Sequence, residues 1–430
     1  MQSVSISFSS FCLFQDSIFV ARFPFGQCAR SISMSKASSN TKVKARETSG
    51  ASDEFYVGLR RLEKSLPKSM YFDPAQYDRE LKAVWYKEWN YVCRSEAIDR
   101  GSFRRHTIGD QNILIVRDAQ GDLHAYHNTC RHRGSSLCTE QEGKFHTGSI
   151  VCPYHGWTYA LDGKLSGVPG LSMPSDFDKA SFSLFPVAVS VWRGFVFINL
   201  DATAVPNFEP FGARVASLAN WPLEDLRLGY SFSEKIACNW KIFWENSSEC
   251  YHCPGVHPEL AQLVPMVGRG ILDKRQDPNW QENQHKPHPR FQGGIAEGVM
   301  TYSMNGQTKA SPFPGLTEED LHTGIGLRTN WPSLIIAANI DVVRTIRVRP
   351  LGAEETEVSV EYFFSEENLA NPEFDRESNI EFTRRVLEQD ARICEINQEG
   401  LRSVEFESGV LMPSENYVLA FQEWVLSRLD

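Results

Sequence analysis

"CRHRGSSLCTEQEGKFHTGSIVCPYHGWTYALDGKL", residues 130–165, decides the fold of the first half of this chain. It contains Cys130-Arg131-His132 and then Cys152-Pro153-Tyr154-His155, a C-x-H followed by a C-x2-H. The residues around it give the setting. Short apolar or aromatic runs at 112–118 (NILIVRD), 123–130 (LHAYHNTC), 149–161 (SIVCPYHGWTYAL), 187–192 (VAVSVW) and 194–200 (GFVFINL) are separated by Gly, Asp and Asn. That is the pattern of a small antiparallel all-β domain made of hairpins. AQGDLHAY (119–126) and ALDGKL (160–165) each place Gly at the turn, as hairpin geometry requires. The β domain is expected over 101–204.

Each half of the quoted stretch offers one thiolate and one imidazole, so two hairpin loops together present four metal ligands. A structural zinc site uses the same residue types, but its knuckles open more often with C-x2-C or C-x2-H. A Rieske [2Fe–2S] centre places two Cys on one iron and two His on the other, which is the division seen here. The cluster is the preferred reading, with Cys130, His132, Cys152 and His155 as ligands, and zinc is the alternative. Gly134 and Gly156 allow both ligand loops to turn tightly.

Further out, the composition narrows the class. The chain has 430 residues, 41% hydrophobic and 23% charged, enough for two or three domains with a sizeable core. A net charge of −10 argues against a general nucleic-acid binder. No run of 18 apolar residues is present, so no membrane span is expected. Residues 1–50 differ in kind: they are Ser-rich, with six Lys/Arg and only Asp16 and Glu47 as acids. This is the composition of an organelle transit peptide, and its Ser content favours the plastid (stroma) over the mitochondrion. Residues 51–100 are expected as a helical lead-in. DPAQYDRELKAVWYKEWNYVCR (73–94) reads as a helix, with Tyr77, Leu81, Val84 and Trp85 at helical spacing, followed by a strand.

A Pro-containing stretch near 203–210 marks a boundary, and 205–430 mixes strands (LIIAANID, RTIRVRPL, EVSVEYFF) with helices. The longest expected helix spans 371–401, with Ile380, Val386, Leu387, Ile393 and Ile396 available to the core. This half is therefore α+β. It contains ENSSECYHCPGVHPEL (245–260), where His252 and His257 stand five apart. A non-haem iron that activates O2 uses two His and one carboxylate on one face of its coordination sphere. Residues five apart on a regular helix point about 140° away from each other. Pro254 and Gly255 are therefore expected to break the helix, leaving His252 at its end and His257 on the loop beyond. Cys250 and Cys253 read as small packing residues.

CRHRGSSL and CPYHGWTYALDGKL resemble the two cluster loops of the Rieske non-haem iron oxygenases, the ring-hydroxylating alpha (terminal oxygenase) subunits. The resemblance covers roughly 70–430. The respiratory-chain type carries an extra Cys in each loop, whereas this sequence has Ser135 and Tyr154 there. QEGKFHTGS (141–149) lengthens the gap between the loops and reads as an enlarged surface loop. The resemblance implies an all-β Rieske domain followed by a helix-grip (START-like) α+β catalytic domain. It also implies a [2Fe–2S] cluster and a mononuclear Fe(II) held by His252, His257 and a downstream Asp. Asp390 falls on that acidic position, with Glu388 as its rival. Glu249, three before His252, falls on the acidic position that links the cluster of one subunit to the iron of the next across a homotrimer. Its partners would be His155 of the neighbour and His252.

A Glu in the setting ECYHC is similar to the branch acting on quaternary ammonium compounds. The first expectation is a choline monooxygenase, making betaine aldehyde hydrate on the route to glycine betaine. N-demethylation of glycine betaine, stachydrine or carnitine, and aromatic-ring hydroxylation, are the alternatives. A Rieske electron carrier without oxygenase activity is the non-enzyme alternative, but it has no use for the residues after 205. Aromatic faces hold quaternary ammonium groups, and Trp244, Phe291, Tyr302, Phe313 and Trp331 are the candidate pocket residues. The chain lacks a dinucleotide fingerprint, so electrons are expected from a ferredoxin and its reductase. Arg131 and Arg133 form a candidate dock for an acidic ferredoxin.

Overall fold

The computed structural model describes residues 55–430, apart from 171, 209–217, 287, 289, 290 and 292. The expected transit peptide lies outside the described residues. A two-residue strand β1 (Glu63–Lys64) leads to helix α1 (Pro74–Glu80), which is capped by the Asp73 side chain and carries Pro at its first position. The helix continues as a π-turn over Leu81–Trp85 that buries Leu81, Val84 and Trp85.

Strands β2 (Asn90–Arg94), β3 (Ser102–Ile108), β4 (Gln111–Arg117), β5 (Leu123–His127), β6 (Glu142–Lys144), β7 (Ser149–Val151), β8 (Thr158–Ala160), β9 (Leu165–Gly167), β10 (Pro186–Trp192) and β11 (Phe195–Asn199) build the β half. Seven form one antiparallel sheet in the order β2-β11-β10-β5-β4-β3-β6, and β7-β8-β9 form a small second sheet. The strand expected to follow the first helix forms as β2 and joins this sheet, which therefore begins before residue 101. The expected surface loop 141–149 instead supplies β6, an edge strand on β3, and the first residue of β7. The hairpin glycines behave as the turn chemistry requires: Gly121 and Gly163 have φ of +104° and +84°.

After β12 (Arg227–Ile236) come helices α2 (Trp240–Ser247), α3 (Cys253–Val256), α4 (Pro258–Leu263), α5 (Trp280–Asn283) and α6 (Glu318–Thr323). Strands β13 (Gly326–Asn330), β14 (Leu334–Ala338), β15 (Val343–Gly352) and β16 (Glu355–Phe364) follow, then helices α7 (Glu366–Ala370) and α8 (Arg376–Gly400), β17 (Val410–Leu411) and α9 (Asn416–Leu429). The five-stranded sheet runs β12-β16-β15-β14-β13, and β17 pairs with β1.

Strand alternation explains how the halves join. In β16, Val358, Val360, Tyr362 and Phe364 pack into a core shared with Ile380, Leu387 and Cys394 of α8 and Phe421 of α9. Phe363 points the other way, and together with Leu334, Ile336 and Ala338 of β14 it meets Tyr91, Phe195 and Phe197 of the first sheet. Both faces of the five-stranded sheet are thus covered. That accounts for near-continuous apolar runs such as LIIAA in place of strict alternation. Of the five apolar positions expected to face the core from α8, Ile396 is instead 47% exposed.

Candidate active site

The two cluster loops are near copies of each other. Cys130 N donates to Ser135 O and Gly134 N to Cys130 O; Cys152 N donates to Trp157 O and Gly156 N to Cys152 O. Gly134 and Gly156 have φ of +74° and +68°, a backbone region costly to residues with a Cβ. Each loop buries its cysteine (3% and 2% exposed) and presents its histidine to solvent. The two imidazole centroids are 4.7 Å apart. Trp157 stacks on His132 and Tyr154 tilts against His155, which orients both rings. Tyr159, not singled out from the sequence, places its hydroxyl 3.2 Å from Cys130 Sγ and accepts Arg131 N–H. Buried thiols at one end and exposed imidazoles at the other fit a cluster with one sulfur-held and one histidine-held iron. Arg131 is not a free docking cation. Its guanidinium donates to Ser183 O and Ser181 O and lies over Phe185. Arg133 remains exposed, over the Tyr154 ring.

The second centre begins where α2 ends. Asn239 caps that helix, which buries Trp240 to Trp244; Ser247 and Ser248 then bond back to Phe243 O and Trp244 O at its last turn. The chain reverses through Glu249, whose carboxylate accepts the backbone N–H of Tyr251 and of His252. The geometry of the histidine pair differs from the sequence reading. Pro254 and Gly255 do not break a helix; they lie inside the single turn α3, which the two histidines flank. Proline is tolerated in a first turn because the missing N–H has no acceptor there. His257 leaves the helix at φ −118°, ψ 69°, and that departure swings its ring toward His252.

His252 Nε2 and His257 Nε2 are 3.2 Å apart, and Asp390 Oδ1 of α8 lies 3.3 and 2.9 Å from them. Glu388, the rival, is exposed. The other ring nitrogens are engaged: His252 Nδ1 with Glu249 Oε1, and His257 Nδ1 with Gln389 Oε1 at 2.7 Å. Gln389 turns its Nε2 to Glu259, so its oxygen faces His257 and Nδ1–H donates. With each Nδ1 so engaged, loss of the Nε2 proton would leave both imidazoles with a lone pair on the side of Asp390.

The electrostatics favour a cation. Burial opposes a charge on His252, but Asp390 and Glu249 prevail and lift its pKa to about 9. His257 is raised by Asp390 against the same penalty. Burial would raise Asp390, yet the two imidazoles hold it below the usual carboxylate range. Two carboxylates facing two neutral imidazoles suit a divalent ion, which replaces the protons these rings otherwise hold. The residues present thus fit a 2-His-1-carboxylate iron.

A pocket of about 190 Å³ opens on these groups, walled by Leu260, Leu272, Leu327, Ile346, Trp331 and Tyr417 among others. A second cavity, of about 260 Å³, also reaches His252 and is shared by Glu249 and Glu245. Burial pushes Glu245 up to about 7, against hydrogen bonds from Tyr71 and Gln422.

Of the five aromatic residues expected at the pocket, Trp331 lines it, and Phe291 and Tyr302 line a larger cleft beside it. Trp244 and Phe313 are core residues. Trp244 is fully buried, donating to Pro332 O and stacking on Phe421; Phe313 packs between the sheets. Cys250 and Cys253 are corrected too, since they are joined as a disulfide with Cα atoms 4.9 Å apart. The C-x2-C spacing itself was the available signal for that bond.

Residues 88–184 match the Rieske [2Fe-2S] domain model, and 223–430 the ring hydroxylating alpha subunit catalytic domain model. The chain is 32% identical over 399 residues to a glycine betaine monooxygenase oxygenase subunit of Chromohalobacter salexigens, covering 86% of this chain and 88% of that one. It is 26% identical over 374 residues to a chloroplastic choline monooxygenase of Beta vulgaris, covering 85% and 77%. The fold superposes on the quaternary ammonium Rieske monooxygenase CntA in complex with γ-butyrobetaine. That match has a TM-score of 0.62 at 23% identity, over 86% of this chain and 96% of that one.

Proposed function

Because the chain belongs to the Rieske non-haem iron oxygenases, as an alpha (oxygenase) subunit of the monooxygenase kind, we propose that it hydroxylates a C–H bond beside the nitrogen of a quaternary ammonium compound. The observation that carries this is the pocket. Trp331 and Tyr417 offer aromatic surface in a cavity also walled by Leu260, Leu272, Leu327, Ile335, Ile346 and Val386. A permanent cation without N–H groups is recognised by such aromatic surface. Attack on an N-methyl group, giving a hemiaminal that releases formaldehyde, is the favoured outcome. The similarity to a glycine betaine monooxygenase subunit at 32% identity supports it. Oxidation of choline is the second reading, supported by the choline monooxygenase relative.

When bound, the cluster supplies single electrons and the mononuclear iron supplies O2 activation. His252, His257 and Asp390 hold the iron, and Gln389 fixes the His257 tautomer that makes this possible. Glu249 holds the Nδ1 proton of His252 with one carboxylate oxygen. We propose that it also meets His155 of a neighbouring subunit in a homotrimer, giving electrons a hydrogen-bonded path between the centres. The exposure of His155 supports that contact. Leu260, Leu272 and Leu327 exclude water from the substrate's reacting carbon. Electrons would come from a ferredoxin-type carrier and its reductase. The Ser-rich, acid-poor first fifty residues support a plastid location.

The test is oxygen uptake and formaldehyde release with reduced ferredoxin and a panel of glycine betaine, choline, carnitine and benzoate-type acids. Turnover of at least one ammonium compound is expected. Turnover of an aromatic acid with none of the ammonium compounds would refute the substrate class.

A further inference from the structure

The iron pocket is not the largest cavity beside the metal centre. A cleft of about 1000 Å³ lies against it, and Cys250, Leu260, Leu272 and Leu327 line both. The iron pocket, at about 190 Å³, is below the range of about 300–1,000 Å³ that holds a drug-sized ligand, whereas the cleft is at its top. A trimethylammonium head with a one-carbon carboxylate leaves such a cleft empty.

The chemistry of the cleft says which part of a substrate it takes. Its walls include Val264, Met266, Trp280, Phe291, Ile295 and Tyr302. The aromatic rings already carry protein cations. Arg269 lies 5.8 Å from the Trp280 centroid and 5.5 Å from that of Phe291, Lys286 is 5.5 Å from Phe291, and Arg344 is 5.8 Å from Tyr302. A second ammonium group is therefore not what these rings accommodate. Within the walls, the Arg275 guanidinium grips both Asp273 oxygens; Arg269, which touches the Trp280 and Phe291 rings without lining the cleft, is paired with Asp277. Neither pair leaves a cation committed to a carboxylate ligand. Lys274, Glu297, Glu319 and His322 are exposed at the mouth, where a polar end reaches water.

We infer that the preferred substrate carries an uncharged apolar or aromatic arm of several carbons on its quaternary ammonium head, and that this cleft is the subsite for the arm. The inference rests on the substrate class proposed above and narrows it from compact betaines to bulky ones.

The experiment uses the holoenzyme and a series of N-trimethylated amino-acid betaines derived from glycine, norvaline, norleucine and phenylalanine. Binding is read by calorimetry and turnover by oxygen uptake. Kd and KM should fall roughly two- to fourfold with each added methylene. Ala296→Trp and Val299→Phe, which fill the cleft but do not line the iron pocket, should each abolish that gain. Under both, KM for glycine betaine should stay within about twofold of the parent's. Glycine betaine turned over with a flat series overturns the inference alone. A series whose gain survives both substitutions does the same. Failure of every ammonium compound to bind or react overturns the substrate class and the inference with it.

Discussion

The Nδ1 of His257 is bonded to Gln389 Oε1 at 2.7 Å, and Gln389 is the residue immediately before Asp390. One turn of α8 thus delivers both a carboxylate to the metal side of the imidazole and an amide oxygen to its far side. Glu259 in turn holds the Gln389 amide, and Arg385 holds Glu259. Gln389→Ala should weaken iron(II) binding by roughly 10–100-fold, the usual cost of losing a group that orients a ligating histidine. Competition against a chromophoric chelator measures it, and an unchanged affinity would remove Gln389 from this role.

Asp390 and Glu388 are both acids of α8, but only Asp390 faces the histidines. Asp390→Ala should lower iron content from about three to about two per chain and leave the visible spectrum of the cluster intact. Glu388→Ala should leave both unchanged. Metal analysis beside visible circular dichroism decides it. Loss of iron in the Glu388 variant alone would reassign the ligand.

Tyr159 places its hydroxyl on Cys130 Sγ. Hydrogen bonds to cluster sulfurs stabilise the reduced, more negative state and raise the potential. Tyr159→Phe should lower the midpoint potential while cluster content stays at the parental level. A redox titration followed by circular dichroism shows the shift, and a potential equal to the parent's would deny the hydroxyl that part.

Glu245 has a folded-state pKa of about 7 against an ordinary 4.5. Between those values the folded protein holds a proton that the unfolded chain has released, so stability falls as pH rises through that window and levels off above about 7. The ceiling on this effect is about 3 kcal/mol. Glu245→Gln keeps an oxygen for Tyr71 and Gln422 and removes the ionisation. It should flatten the fall and be more stable than the parent at pH 8. Urea midpoints across pH 5 to 8.5 would show this; parallel curves for both proteins would contradict it.

The cluster loops and the His252–His257 pair were readable because metal ligands must recur at fixed spacing near turn-forming residues, as in C-x-H, C-x2-H and H-x4-H. Asp390 was readable only through resemblance, because a lone helical acid has no local signature. The pocket was not readable. Trp244, Phe313 and Trp331 are equally aromatic in sequence, and only the packing of α2, the sheets and α9 decides which is core and which is wall. Strand β6 escaped for a related reason: a three-residue edge strand of Glu, Gly and Lys carries no apolar alternation. Tyr159 and Gln389 act through single hydrogen bonds, which leave no periodic trace.

The account depends above all on electrons reaching the His252–His257–Asp390 centre from the cluster through Glu249. Stopped-flow single turnover of chemically reduced holoenzyme, mixed with O2 and an ammonium substrate, measures cluster reoxidation and product together. The parent should show both at matching rates. Glu249→Gln should retain all its iron yet slow both by roughly 100-fold or more, the scale expected when an interaction acts on the rate-determining step. Reoxidation and product formation at parental rates in that variant would contradict the account.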